Sequence, residues 1–326
     1  MSAVRVWVLS AGKPGDDAQA TILAEAVGWP YAVKRPGDAL APPWPDLVIA
    51  SGRQTEAAAQ GIAARSGGAV RLVQVGRPHG ALAQLDLVVA PPQYDLPDHP
   101  RVVRLALPLQ RVSQGAVARA AAAWTPPAGR PLPRPWLAVL VGGAARPYLL
   151  DARVAHDLGA QVSGAARAAG GSLLVTTSRR TPAPVTEALA AALSAPAVVH
   201  RWAPDAAANP YLVFLGVADR IVVTGDSASM LADAVSSGKP VEIFALPMGR
   251  GRWRDVVRRL VWSGGLPGPV VARLGIRPPR DLARLHETLY ARGLATPFGA
   301  PAASRPRAGG DDELVAVAAR VRGLIG

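Results

Sequence analysis

Cysteine is absent from this 326-residue chain, which excludes thiolate metal ligands, thiol nucleophiles and redox pairs. Lysine is nearly absent too, confined to Lys13, Lys34 and Lys239, so a formal charge of +13 rests almost wholly on arginine. That balance invites anions: nucleic acid, an acidic membrane surface or phosphorylated ligands. There is no zinc-finger pattern, RNA-recognition core or basic heptad array, and no specific nucleic-acid partner is expected. No apolar run reaches the ~18 residues of a membrane span. Arg5 interrupts the short apolar opening MSAVRVWVLS, so no signal peptide is read and a cytoplasmic protein is expected. His79, His99, His156, His200 and His286 lack metal-ligand spacing, and no metal is expected. No G-x-G-x-x-G occurs, and SSGKP (236–240) puts proline after the lysine where a phosphate-binding loop needs Ser or Thr, so no cofactor is expected.

What is present is an alternation. Short apolar β-rich runs (4–10, 45–51, 69–75, 85–90) are separated by Ala-rich helical stretches near 16–27 and 54–65. After a helix near 114–124 and the proline-rich WTPPAGRPLPRPW (124–136), the alternation resumes with runs at 137–143, 172–178, 197–200, 220–225 and 240–246. Helices are expected between them near 151–169, 183–193, from 210, and near 227–237. Continuous apolar strands alternating with helices predict parallel sheets covered on both faces. The fold class is α/β, with two Rossmann-like domains facing a cleft. The expected domains are 1–125, a linker at 126–136 whose prolines cannot continue a helix, 137–299, and a flexible stretch with a terminal helix at 300–326.

Polar strand ends carry the candidate site, because open α/β sheets bind ligands at strand carboxyl ends. In RIVVTGDSASMLADAV (220–235) a strand ending at Thr224 turns into a helix beginning with Asp226, Ser227 and Ser229, and helical spacing brings Asp233 onto their face. A helix start favours an anion such as a pyrophosphate; the plain alternative is that Asp and Ser cap the helix. The carboxylate repels phosphate, so phosphate contact falls to the serines and backbone. TTSRRTP (176–182) places Ser178, Arg179, Arg180 and Thr181 at another strand end, where guanidinium forks match phosphate oxygens; the alternative is a solvated turn. Gly142 and Gly143 at a third end admit a ligand or a tight turn. Asn209 before Pro210 reads first as a helix start. Near the amino terminus, Lys13, Asp16 and Gln19 sit in a Gly-rich strand-to-helix loop, and Arg53 follows another strand. GDSAS (225–229) has serine where a nucleophile elbow needs glycine, and a triad there would need a distant histidine such as His286. GRGRWRDVVRRLVW (249–262), if helical, sets arginines beside Trp253 and Trp262 and could lie on anionic lipid; a core-facing helix with a solvated arginine face is the alternative.

The segments GKPGDDAQ, DLVIASGRQT, TTSRRTP and NPYLVFLGVADRIVVTGDSASMLADAVSSGKPV together resemble the mitochondrial-fission (elongated mitochondria) family of plants and bacteria, up to about residue 300. The last is also similar to lipopolysaccharide heptosyltransferases and other GT-B glycosyltransferases. The resemblance implies nucleotide sugar held by the C-terminal domain, acceptor by the N-terminal one, and no required metal. Asp16 stands where the family's G-K-x-G-H loop has histidine, and a partly desolvated carboxylate can still serve as a base. The implied activity is inverting, metal-independent transfer from a nucleotide sugar to an envelope or lipid-linked acceptor. Ser178, Arg179, Arg180 and Ser227 would neutralise the leaving diphosphate, with Gly142, Gly143, Thr181, Asn209, Thr224 and Ser229 around it. Asp226 and Asp233 would hold hydroxyls, Asp16 would take the acceptor's proton, and Lys13, Gln19 and Arg53 would bind the acceptor. The alternative is a non-catalytic adaptor on the same scaffold, peripheral at the inner membrane face, since plant members recruit fission machinery.

Overall fold

The computed structural model describes residues 4–109, 112–127, 129, 131–143, 145, 147–204, 209–248, 280–301 and 311–326. The chain divides into two compact units: Met1–Arg111 with Gly309–Gly326, and Val112–Ala308.

In the first unit, β1 (Val6–Leu9), α1 (Pro14–Val27), β2 (Tyr31–Lys34), β3 (Leu47–Ser51), α2 (Arg53–Arg65), β4 (Arg71–Val75), β5 (Leu87–Ala90) and β6 (Val102–Arg104) follow in turn. Their parallel sheet has the order β2-β1-β3-β4-β5-β6. Alternate strand residues serve opposite faces. Val6, Val8, Leu47, Ile49, Val73 and Val75 pack under Leu23, Ala24 and Val27 of α1, while Leu9, Val48, Ala50, Leu72 and Val88 meet Ala59 and Ile62 of α2. Both faces are dry, which explains why these strands read as unbroken apolar runs.

The second unit holds α3 (Gln114–Ala122), β7 (Trp136–Val141), α4 (Ala152–Ala168), β8 (Ser172–Thr177), α5 (Ala183–Ala191) and β9 (Ala197–His200). It continues through α6 (Tyr211–Val217), β10 (Arg220–Thr224), α7 (Ala228–Ser236), β11 (Val241–Phe244), α8 (Leu282–Ala291) and β12 (Thr296–Pro297). The parallel order is β9-β8-β7-β10-β11-β12. Numbered within the unit this is 3-2-1-4-5-6, the Rossmann order, whose switch point lies between β7 and β10. The corresponding reversal in the first unit lies between β1 and β3.

Two expected boundaries differ. Helix α3 belongs to the second unit, where it packs on α6 so closely that a Cβ on Gly216 would stand 2.7 Å from the Ala121 Cβ. The proline-rich stretch expected as a linker is fastened there too. Trp124 meets the rings of Trp136 and Phe214 at 5.3 and 6.5 Å, Arg134 pairs with Asp219 at 2.6 Å, and the Trp136 indole donates to the Leu132 carbonyl. Packing half-buried Trp124 against half-buried Trp136 and buried Phe214 holds the segment where its prolines alone would leave it loose. The terminal helix α9 (Asp311–Arg322) returns to the first unit, with Val317, Ala318 and Val321 in the α1 core. Segment 249–262 lies outside the described residues. Among those described, no helix is long and apolar enough to cross a membrane.

Candidate functional site

Three strand ends of the second unit are locked together at its switch point. After β7, the Gly142 amide donates to Thr224 Oγ1 at 2.8 Å and the Gly143 amide to Asp226 Oδ2 at 2.8 Å. Thr224 Oγ1 in turn donates to Asp226 Oδ1 at 2.8 Å. Asp226 is buried and its carboxylate fills the space beside Gly142, where a Cβ would stand 2.4 Å from Oδ1. After β8, residues 178–181 form a tight turn: Thr181 donates its amide to the Ser178 carbonyl and its hydroxyl to Gly142 O at 2.6 Å. The Ser178 amide donates to Thr181 Oγ1 at 2.8 Å. This turn seats Arg180 on Gly143, where a Cβ would come 2.2 Å from the Arg180 Cβ and 2.5 Å from its carbonyl carbon.

The two glycines are therefore required by contact between loops. Arg179 and Arg180 are exposed, and among the described residues neither guanidinium has a hydrogen bond or ion pair. Two guanidiniums without a partner among the described residues thus rise from the turn that packs on Gly143. Ser227 precedes that helix without a side-chain cap, so neither it nor Asp226 plays the capping part their residue types suggest, and Ser229 is exposed. Further along α7, Asp233 accepts from the Tyr211 hydroxyl at 2.9 Å. Burial pushes Asp233 up to about 6, with the Tyr211 bond pulling the other way; burial first, then the Asp233 charge, pushes the Tyr211 phenol well up. Asn209 accepts from the Tyr211 amide at 3.0 Å, so it serves the start of α6, as the plain reading had it.

Sequence reasoning missed the support behind this site. On α8, His286 Nε2 donates to the Gly225 carbonyl at 2.9 Å, and a Cβ on Gly225 would stand 2.8 Å from the His286 ring. Burial lowers its pKa, opposed by the Gly225 bond and the Asp281 and Asp226 charges. The nitrogen that a Ser227 triad would need is thereby occupied. Buried Tyr148, facing the Asp281 and Asp226 charges, is pushed up to about 12, chiefly by desolvation. No motif ties α8 to β10 across sixty residues of chain, so only a lone His flagged it.

In the first unit, Gly12 adopts a positive φ of 71° before α1, and Asp17 closes that loop by accepting from the Ser10 hydroxyl at 2.7 Å. Asp16 has no hydrogen bond or ion pair among the described residues; its carboxylate faces the end of β3, 2.9 Å from where a Cβ on Gly52 would lie. Lys13 and Arg53 are exposed at the β1 and β3 ends, so the switch point gathers Lys13, Asp16 and Arg53. Gln19 departs from expectation: its amide accepts from the Leu109 amide at 2.9 Å and donates to the Leu109 carbonyl, leaving the side chain engaged in the fold. Among the described residues no three His, Asp or Glu side chains group as a metal site would need.

Solved structures bear on the fold. UDP-GlcNAc 2-epimerase from Methanocaldococcus jannaschii superimposes with a TM-score of 0.51 and 10% identity, over 98% of this chain and 99% of that one. UDP-GlcNAc 2-epimerase from Neisseria meningitidis, bound to UDP-GlcNAc, gives 0.48 and 12%, over 98% and 100%. The fold is the GT-B-like pairing of two Rossmann-like units. By sequence, the mitochondrial fission protein ELM1 of Arabidopsis thaliana is 29% identical over 224 residues, 61% of this chain and 51% of that protein. The chain thus spans about half the length of that curated relative. The family model described as Mitochondrial fission ELM1 matches residues 14–266, most of the chain, and the protein belongs to that family.

Proposed function

We propose that the second unit binds the diphosphate of a nucleotide sugar at the ends of β7, β8 and β10, and that the protein is an inverting, metal-independent glycosyltransferase. One observation carries the reading: Arg180 is seated on Gly143, Gly143 on Asp226, and Asp226 beside the start of α7, with both neighbouring guanidiniums unpaired. A diphosphate there meets the Arg179 and Arg180 forks and the free amides that open α7. Cations carried on a turn that is itself locked to β7 and β10 offset the charge that develops on the leaving group. Asp226 acts by position: both carboxylate oxygens are engaged in holding the loops. Asp233, whose hydrogen bond falls on Oδ2, offers Oδ1 to ribose or sugar hydroxyls. In the first unit Asp16 takes the acceptor's proton, and Lys13 and Arg53 bind an acceptor that carries negative charge.

A second reading has one observation in its favour: the curated relative is named for mitochondrial fission. It makes this chain a non-catalytic adaptor on the same scaffold, at an anionic membrane surface. Calorimetry with UDP and GDP separates the two. The transferase reading expects binding that Arg180→Ala weakens by tenfold or more, and absence of binding at millimolar nucleotide removes it.

A further inference from the structure

In the second unit a buried phenol has no hydrogen-bond partner among the described residues. Tyr148 closes the loop that leaves β7. That loop starts where the Gly142 amide meets Thr224 at the end of β10. It finishes beyond β11, where Tyr148 bridges Met248 and the Leu149 amide donates to the Pro247 carbonyl at 2.8 Å. Since β10 lies between β7 and β11, the loop crosses the strand end from which α7 starts. Tyr148 is 8% exposed. Among the described residues, the side-chain atoms sealed from solvent without a partner are Gln93 Oε1 and His200 Nε2, so the phenol oxygen keeps an open side.

The two ends of this loop differ in charge. At its start the Arg180 turn packs on Gly143. At its end the phenol faces the carboxylates of Asp281 and Asp226. Asp281 is buried; it caps α8 by accepting from the Ala283 amide at 3.1 Å and lies 3.5 Å from the Nε of exposed Arg284. Both Asp226 oxygens are held by the loops. Burial first, then those two charges, keeps the Tyr148 hydroxyl protonated at neutral pH, so it is a hydrogen-bond donor. An anionic group brought beside two carboxylates is repelled, whereas an uncharged hydroxyl accepts the phenol's hydrogen without that cost.

We propose that Tyr148 donates a hydrogen bond to a hydroxyl of the nucleotide's sugar, and that this sugar carries no charge of its own. The proposal rests on the nucleotide-sugar reading above and names its donor class. The diphosphate lies at the arginine end of the loop, and the sugar lies at the carboxylate end, where a uronic acid is disfavoured. Losing the phenol oxygen removes a contact to the sugar and none to the diphosphate.

Calorimetry on the full chain tests this with UDP, UDP-glucose and UDP-glucuronic acid, and with GDP, GDP-mannose and GDP-mannuronic acid. For whichever base binds, the wild type should hold the neutral sugar nucleotide about tenfold or more tightly than the uronic one, through like-charge repulsion. Tyr148→Phe, which removes only the oxygen, should weaken the neutral sugar nucleotide by about threefold to tenfold, the range of one neutral hydrogen bond, and leave the bare nucleotide unchanged. Asp281→Asn keeps a residue able to cap α8 and should narrow the gap between neutral and uronic sugars, so the charge argument is decided even if Tyr148→Phe does not fold. Three results overturn the proposal: equal loss of bare and sugar nucleotide in Tyr148→Phe, no loss of either, or a uronic sugar bound as tightly as the neutral one. Bare-nucleotide binding that Arg180→Ala weakens would show that the diphosphate site survives such a result. No binding of any of these ligands at millimolar concentration removes that site first and the proposal with it.

Discussion

At the residue scale, the glycines after β7 are where a single added carbon has the largest consequence. Gly143→Ala drives a methyl into the Arg180 backbone, 2.5 Å from its carbonyl carbon, and nothing there is the far end of a flexible chain. Overpacking of this kind costs about 1–3 kcal/mol. Gly164 in α4 has nothing within 4 Å of its would-be Cβ, and Gly164→Ala should be neutral or stabilise by up to about 1 kcal/mol. In urea unfolding Gly143→Ala should lower the midpoint and Gly164→Ala should leave or raise it, and a Gly143→Ala midpoint no lower than wild type would show that the β7 and β8 loops are not in contact. Asp233 gives a pH test. Its carboxyl titrates near 6 in the folded chain against about 4 unfolded, so the folded state binds the proton more tightly. The sign is fixed: this group's contribution is fully present below pH ~4 and is lost as pH rises through ~6. Asp233→Asn should abolish that slope and be more stable than wild type at pH 7, on the order of 1–2 kcal/mol. A slope that survives the substitution belongs to another group.

At the element scale, the terminal helix is a structural part of the first unit although about two hundred residues separate it from β6. Arg322 donates to the carbonyls of Ala26 and Val27, closing the C-terminal end of α1 with a cation as the helix dipole favours, and Glu313 accepts from the Ala106 amide at 2.8 Å. Val321→Ala, at a fully buried position, should cost about 2 kcal/mol from lost methyl burial and the cavity, read as a lower denaturation midpoint. The alternating pattern made most helices and strands legible, because both-face burial leaves apolar runs that composition cannot hide. Strands β2, β6 and β12 escaped: β2 is exposed along Tyr31–Val33, and β12 has only two residues, so neither carries a burial signal. The residue types of the site were visible at TSRR and GDSAS, but their roles were not. Whether Asp226 caps a helix, binds a sugar or clamps a loop depends on Gly143, 83 residues away in sequence. Buried Glu56, whose carboxylate accepts from the His79 and Gly80 amides, was hidden for the same reason, since local spacing says nothing of which loop returns to a carboxylate.

At the scale of the whole molecule, two Rossmann-like units place polar groups at their own switch points, and the two sets differ in charge logic. On the proposed reading the second unit's exposed arginines and helix start meet a diphosphate, while Asp16 of the first unit, beside Lys13 and Arg53, takes the proton. That division of labour depends first on nucleotide binding by the second unit. Calorimetric titration of the wild type and Arg180→Ala with UDP and GDP is the most direct test. The account predicts a saturable signal for at least one nucleotide and a tenfold or greater loss in the variant. No signal at millimolar nucleotide, or equal binding by both proteins, would contradict it.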